Sequence, residues 1–282
     1  MRYGVILIGP PGSGKSTLCT GLYDFLKSFE RNPFVMNLDL LNDTMMYKPA
    51  IDIRETISTT TLFDEYGLGP NGAILSSFDL FSHKLDWVQT EIERLDPQDD
   101  DEDSIWIVDA PGQVELFLDH EGFRTVCQFF EQLEFTLCVL TLNDVLLLTD
   151  ASRLISSLLH TVSFTINLQL PTVNILTKID LLDHLETKFD IETVLNAYEY
   201  DFLLPHLNNS RPHLENLNEV LIELLEEFKV LDLVPCNVQD KYSMFDLMLS
   251  INNVTGFVMH TEKAKGLIDR LTSEVAAREN SK

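Results

Sequence analysis

No apolar run in this chain of 282 residues approaches the roughly 20 that a membrane-spanning helix requires, so no bilayer span is expected. The four cysteines (Cys19, Cys127, Cys138, Cys236) stand far apart, with no C-x-x-C pair and no histidine at ligand spacing. That argues against a zinc site and a disulfide framework, and it fits a reducing compartment. Positive charge is scarce: 20 Lys and Arg against 45 Asp and Glu leave a net charge of −25. Binding to nucleic acid or to an anionic membrane needs clustered Lys and Arg that release counterions, so neither is an expected partner. The deficit does not oppose binding a single nucleotide, whose phosphates can be met by backbone amides, one lysine and a metal ion.

What is present reads as an α/β chain. The first apolar run ends in Gly9-Pro10-Pro11-Gly12 instead of a small-residue cleavage site, so it reads as a core strand and not a leader peptide. Further nearly continuous apolar runs predict strands over 33–38, 105–109, 135–141, 172–176 and 233–236, the pattern of parallel strands covered on both faces. Helical stretches alternate with them, over 16–29, 73–95, 122–133, 151–167, 212–231 and 242–253. The expectation is an open, mostly parallel sheet with helices on both faces and helical insertions, in one domain spanning 1–282. A helical insertion is placed at about 52–95, an exposed acidic loop at 96–104 ("DPQDDDEDS") and a terminal amphipathic helix at about 260–278.

The chemistry-bearing motifs follow the strands. Gly9-x-x-x-x-Gly14-Lys15-Ser16 stands directly after the first strand and opens a helix, the P-loop layout. Glycines let the backbone turn tightly so that successive N–H groups point inward at phosphate oxygens, with the helix dipole behind them. Lys15 would reach the β- and γ-phosphates, and the Ser16 hydroxyl would ligate Mg²⁺. "IWIVDAPGQVE" places Asp109 at the carboxyl end of a neighbouring strand, where a P-loop protein needs an acidic residue for Mg²⁺, followed closely by Gln113 and Glu115. Asp39 ends another strand, where it could hold a metal-bound water, orient the attacking one, or cap a helix. Asp52, Arg54 and Thr56 in "DIRETIS" could form a mobile switch or simply start a surface helix. "NILTKIDLL" carries Thr177, Lys178 and Asp180, in the pattern that reads guanine: the carboxylate accepts from N1–H and the exocyclic amine, whereas adenine offers an acceptor at N1. In "GLGPNGA", residues 67–73, Asn71 read locally caps a helix beginning at Ala73.

The order of these motifs resembles one family, the GPN-loop GTPases. The matching stretches are "GPPGSGKST", "NLD", "DIRETI", "GLGPNGA", "DAPGQVE", "TDASRLISSLL", "LPTVNILTKIDLL" and "VPCNVQDKYS", from residue 4 to about residue 256. The Gly-Pro-Pro-Gly turn and "NVQDK" are most similar to the paralogue group numbered 2. The resemblance implies a P-loop GTPase domain binding GTP or GDP with Mg²⁺. Gly12 to Thr17 would lie on the phosphates, Ser16, Asp39 and Asp109 on the metal and its waters, and Gln113 and Glu115 beside the reacting centre. Thr177, Lys178 and Asp180 would hold the base, with Pro235 and Cys236 along its far side. Gly69, Pro70 and Asn71 would lie at a dimer interface, with Asn71 reaching the partner's phosphates. It further implies homodimers or heterodimers with another GPN-loop GTPase, work with RNA polymerase II subunits or assembly factors, and a cytoplasmic location with passage to the nucleus. Three departures stand out: Thr177 where Asn or Ser is usual, no Pro-Ala after Asp39, and Asn143-Asp144 in place of an Asp-Ser ending. Two other readings remain open, a GTP-binding assembly chaperone with dispensable hydrolysis and a P-loop nucleotide kinase. The scattered arginines count against the second, which needs an arginine-rich lid.

Overall fold

The computed structural model describes residues 1–43, 45–96, 103–195, 199–210, 212–228 and 233–257. Seven parallel strands form one sheet in the order β3-β2-β4-β1-β5-β6-β7. They are β1 (Arg2–Ile8), β2 (Phe34–Asn37), β3 (Ile51–Asp52), β4 (Ser104–Asp109), β5 (Phe135–Asp144), β6 (Thr172–Thr177) and β7 (Leu233–Cys236). The helices are α1 (Lys15–Ser28), α2 (Pro70–Ser82), α3 (Leu85–Leu95), α4 (Val114–Asp119), α5 (Glu121–Gln132), α6 (Ala151–Leu168), α7 (Ile191–Leu195), α8 (Leu204–Ser210), α9 (Glu215–Phe228) and α10 (Lys241–Thr255). The expected open parallel sheet is therefore present, and its alternation of strand and helix is the reason: a parallel return needs a long crossover, which helices supply everywhere except between β2 and β3, where a loop does.

Strand side chains alternate between two cores. Tyr3, Val5 and Leu7 of β1 pack with Leu18, Leu22 and Leu26 of α1 and with Met244, Phe245 and Met248 of α10. Ile6 and Ile8 face the opposite way, into a cluster with Phe78 and Phe81 of α2, Trp106 of β4 and Phe123 and Phe130 of α5. A third cluster extends the fold beyond β6, where α6, α8 and α9 close over Leu176, Phe189, Tyr200 and Leu203. All four cysteines are free and buried among these cores. Among the described residues no helix is long and apolar enough to cross a membrane.

The local structure departs from the expectations in several places. The helix read over 73–95 is two helices, because the backbone at His83 and Lys84 leaves helical geometry and tight bonds to Leu80 O and Phe81 O end the first. The break lets α2 and α3 each turn a face to the same core. β3, α4, α7 and α8 are additional to the expected elements, being two, six, five and seven residues long and too short to show a period. The helix expected from Pro212 starts as a 3₁₀ turn, and α9 begins at Glu215. The terminal helix at about 260–278 and most of the acidic loop lie outside the described residues.

The order reversal is what positions a site. From β1 the chain moves outward on one side to β2, β3 and back to β4, then outward on the other side to β5, β6 and β7. Loops leaving the carboxyl end of β1 and its neighbours diverge, and a crevice forms there.

Candidate nucleotide site

The crevice is a cleft of about 500 Å³ lined by Pro11, Gly12, Gly14, Lys15, Ser16, Thr17, Asp39, Leu41, Asn42, Asp43, Ile74, Gly112, Gln113 and Lys178. Its floor is the turn from β1 into α1. Gly9, Gly12 and Gly14 have φ of 149°, 78° and 96°, values that a β-carbon strains. Gly14 is the N-cap of α1 and brings no side-chain cap, so the first-turn amides of that helix carry its positive end to the cleft. Gly112 presses against this turn: a β-carbon there would come within 3.0 Å of Pro11 Cα and N and 3.2 Å of Lys15 Nζ.

Lys15 is 8% exposed, and its ammonium donates to the carbonyls of Gly9 (3.0 Å) and Pro10 (3.1 Å). Burial pulls its pKa down, opposed by Asp109 and Asp39. Asp109 ends β4, buried, with Oδ2 accepting from the Tyr47 hydroxyl (2.6 Å) and from Asn42 Nδ2 (3.2 Å). The same Asn42 amide donates to Ser16 Oγ at 3.2 Å. Burial raises the pKa of Asp109 against the lowering effect of its hydroxyl donors and Lys15. Asp39 is likewise raised by burial, and its Oδ1 accepts from Leu41 N–H at 3.0 Å.

A hard divalent cation takes oxygen ligands, and Mg²⁺ keeps several of its waters. Ser16 and Asp39 line the cleft, and Asp109 carries a buried Oδ1 with no hydrogen-bond partner. This donor set fits Mg²⁺. Of the other expected residues, Gln113 lines the cleft with its Oε1 buried and unpartnered, whereas Glu115 is exposed on α4 and does not line it.

The base-side residues gather at the ends of β6 and β7. Thr177 is buried, and its hydroxyl lies 2.7 Å from Ser13 O and 3.1 Å from Asn143 O. That hydroxyl faces backbone carbonyls, so Thr177 ties the strand end to the phosphate turn. Lys178 turns the chain at φ 61° and pairs with Asp144 Oδ2 at 2.5 Å. Asp180 follows, exposed, in the 3₁₀ turn Ile179–His184. Cys236 is in register with Thr177 and buried, and Pro235 O accepts from Ser243 Oγ at 3.1 Å.

Asn71 does not cap a helix. α2 begins at Pro70 with Gly69 as its N-cap, so Asn71 sits inside the first turn. Gly69, Pro70 and Asn71 are exposed, and none of them lines this chain's own cleft, although Ile74 one turn later does. In the "DIRETIS" segment Asp52 accepts from Asn37 Nδ2 (3.0 Å) and from the Arg54 guanidinium (2.6 Å), and Arg54 Nη1 donates to Asn42 O (3.0 Å). Asn42, Tyr47 and Asp144 went unnoticed as site residues. Asn42 and Asp144 had a signal, as polar residues near the ends of apolar strands. Tyr47, in the loop stretch between two strands, had none.

Comparison with known proteins agrees with this geometry. The family described as "Conserved hypothetical ATP binding protein" matches residues 7–257. GPN-loop GTPase 2 of Danio rerio is 30% identical, covering 98% of this chain and 88% of the relative. GPN-loop GTPase 3 of Kluyveromyces lactis is 32% identical, covering 90% and 92%. The chain belongs to the GPN-loop GTPase family. Identity does not separate paralogue groups 2 and 3 within it. The crystal structure of an apo-form GTPase from Pyrococcus abyssi superposes on this GPN-loop chain with a TM-score of 0.70 at 25% identity, covering 89% of this chain and 97% of that one.

Proposed function

We propose that this chain hydrolyses GTP to GDP and phosphate with Mg²⁺, slowly, as a dimeric switch. The observation that carries the reading is the cleft in which the phosphate turn, Asp39 and Lys178 of the base segment meet, with the buried Asp109 joined to it through Asn42. Phosphoryl transfer asks mainly for positioning and charge neutralisation. The amides of Gly12 to Thr17 and the Lys15 ammonium would take the phosphate charge, and Ser16, Asp39 and Asp109 would hold Mg²⁺, which neutralises charge developing on the phosphate oxygens. Asp39 and Gln113, both on the cleft lining, would orient water. Asp180 would select guanine.

No arginine lines the cleft among the described residues, which supports slow turnover and counts against a nucleotide kinase. The exposed Gly69-Pro70-Asn71 turn supports a shared site in which Asn71 serves the nucleotide of a second subunit, in a homodimer or in a heterodimer with another GPN-loop GTPase. From family membership we extend the proposal to RNA polymerase II subunits or assembly factors as clients, with action in the cytoplasm before nuclear entry. The exposure of Glu115 favours a second reading, an assembly chaperone for which GTP binding suffices.

Base choice tests the core of this. GTP is expected to bind at least about tenfold more tightly than ATP, and Asp180→Asn to move the preference to xanthosine triphosphate. Equal affinity for ATP and GTP, or no shift in the variant, would overturn the guanine assignment. Phosphate release with water as the only acceptor separates hydrolysis from kinase transfer.

A further inference from the structure

Tyr47 stands beside the metal-binding carboxylate without a role in the reading above. Its ring is buried in the core on the α1 side of the sheet, and its hydroxyl is 2.6 Å from Asp109 Oδ2. Asn42 Nδ2 reaches the same oxygen and also Ser16 Oγ, each at 3.2 Å, while Arg54 Nη1 holds the Asn42 carbonyl at 3.0 Å. One oxygen of the carboxylate therefore accepts two donors, and the other, Oδ1, is buried with no partner. Beside an ionised carboxylate a phenol can only donate, so this bond fixes which oxygen remains an acceptor. A buried carboxylate free to rotate would offer a cation either oxygen or neither.

We propose that Tyr47 is a positioning residue of the metal site: its hydroxyl holds Asp109 Oδ2 so that Oδ1 is left for the cation or its water. The proposal rests on reading the cleft as a Mg²⁺-nucleotide site. It makes the segment between β2 and β3 part of the cation's surroundings, through a residue that comes from neither strand end.

Tyr47→Phe keeps the ring and removes only the hydroxyl. Dissociation of a fluorescent GDP would be followed for wild type and variant, in EDTA and across a Mg²⁺ titration. The rate in EDTA should stay within about twofold, while the Mg²⁺ concentration for half-maximal retention rises at least about tenfold, the loss of one hydrogen bond to a charged group. In an Asp109→Asn background the same substitution should add nothing. An unchanged Mg²⁺ midpoint, or equal weakening in EDTA and in Mg²⁺, would overturn the proposal by making Tyr47 merely structural. A lower midpoint would overturn it by making Tyr47 a competitor of the cation. GDP retention by wild type that ignores Mg²⁺ would instead overturn the reading of the cleft, and the proposal with it.

Discussion

Lys15 carries its ammonium into a place where 8% of its surface meets solvent, and two carbonyls of its own loop receive it. Lys15→Met should lower GTP affinity about a hundredfold by equilibrium titration, since charge-assisted contacts to phosphate are lost. The thermal midpoint should hold or rise, because the variant no longer desolvates a charge. Arg54 behaves differently. Burial alone would raise the pKa of Asp52, but the hydrogen bonds from Arg54 and Asn37 outweigh it and hold the carboxyl below its usual value. A depressed folded-state pKa contributes stability above the unfolded pKa, and that stability is lost as pH falls through the folded value. Arg54→Met should therefore cost about 2 kcal/mol in urea melts at pH 7, shrinking below about pH 4. Lys15, Ser16 and Asp109 were legible in the sequence because spacing along a strand-turn-helix unit determines where they go. Tyr47 meets Asp109 across 62 residues of chain, a distance over which local pattern carries no information.

Elements were legible to the extent that they are long and periodic. α1 buries Leu18, Leu22 and Leu26 along one face, and its boundaries fall within a residue of those read from the sequence. The two-helix break at His83 was invisible because apolar residues continue through it on both sides; only the requirement that α2 and α3 reach a common core reveals it. The tie from β6 to the phosphate turn is a further feature of this scale. Thr177→Val removes the hydroxyl that reaches Ser13 O while keeping the shape. It should weaken GDP binding about tenfold and speed amide exchange in residues 12–14, with Thr177→Ser restoring both. Gly112→Ala should likewise weaken nucleotide binding, since its β-carbon would force the Pro11 backbone to shift.

At the scale of the molecule, the sheet order puts β1 at the centre and sends the loops of the candidate nucleotide site to one edge. The dimer proposal belongs here. GTP turnover per chain should rise with protein concentration, and Asn71→Ala should reduce turnover at least about tenfold while leaving GDP affinity within about twofold. A monomer, shown by sedimentation, that hydrolyses GTP as fast as the concentrated protein would end the shared-site reading. The same architecture bears on the cysteines. All four are buried, and burial pushes the Cys127, Cys138 and Cys236 thiols up to about 12. Only a thiolate attacks an electrophile, so the native chain should be nearly inert to iodoacetamide near neutral pH. Alkylation then becomes a clock for opening, read one cysteine at a time by peptide mass. Cys236, in register with Thr177, should slow when guanine nucleotide is added, and Cys127 on α5 should keep its pace unless the whole domain unfolds.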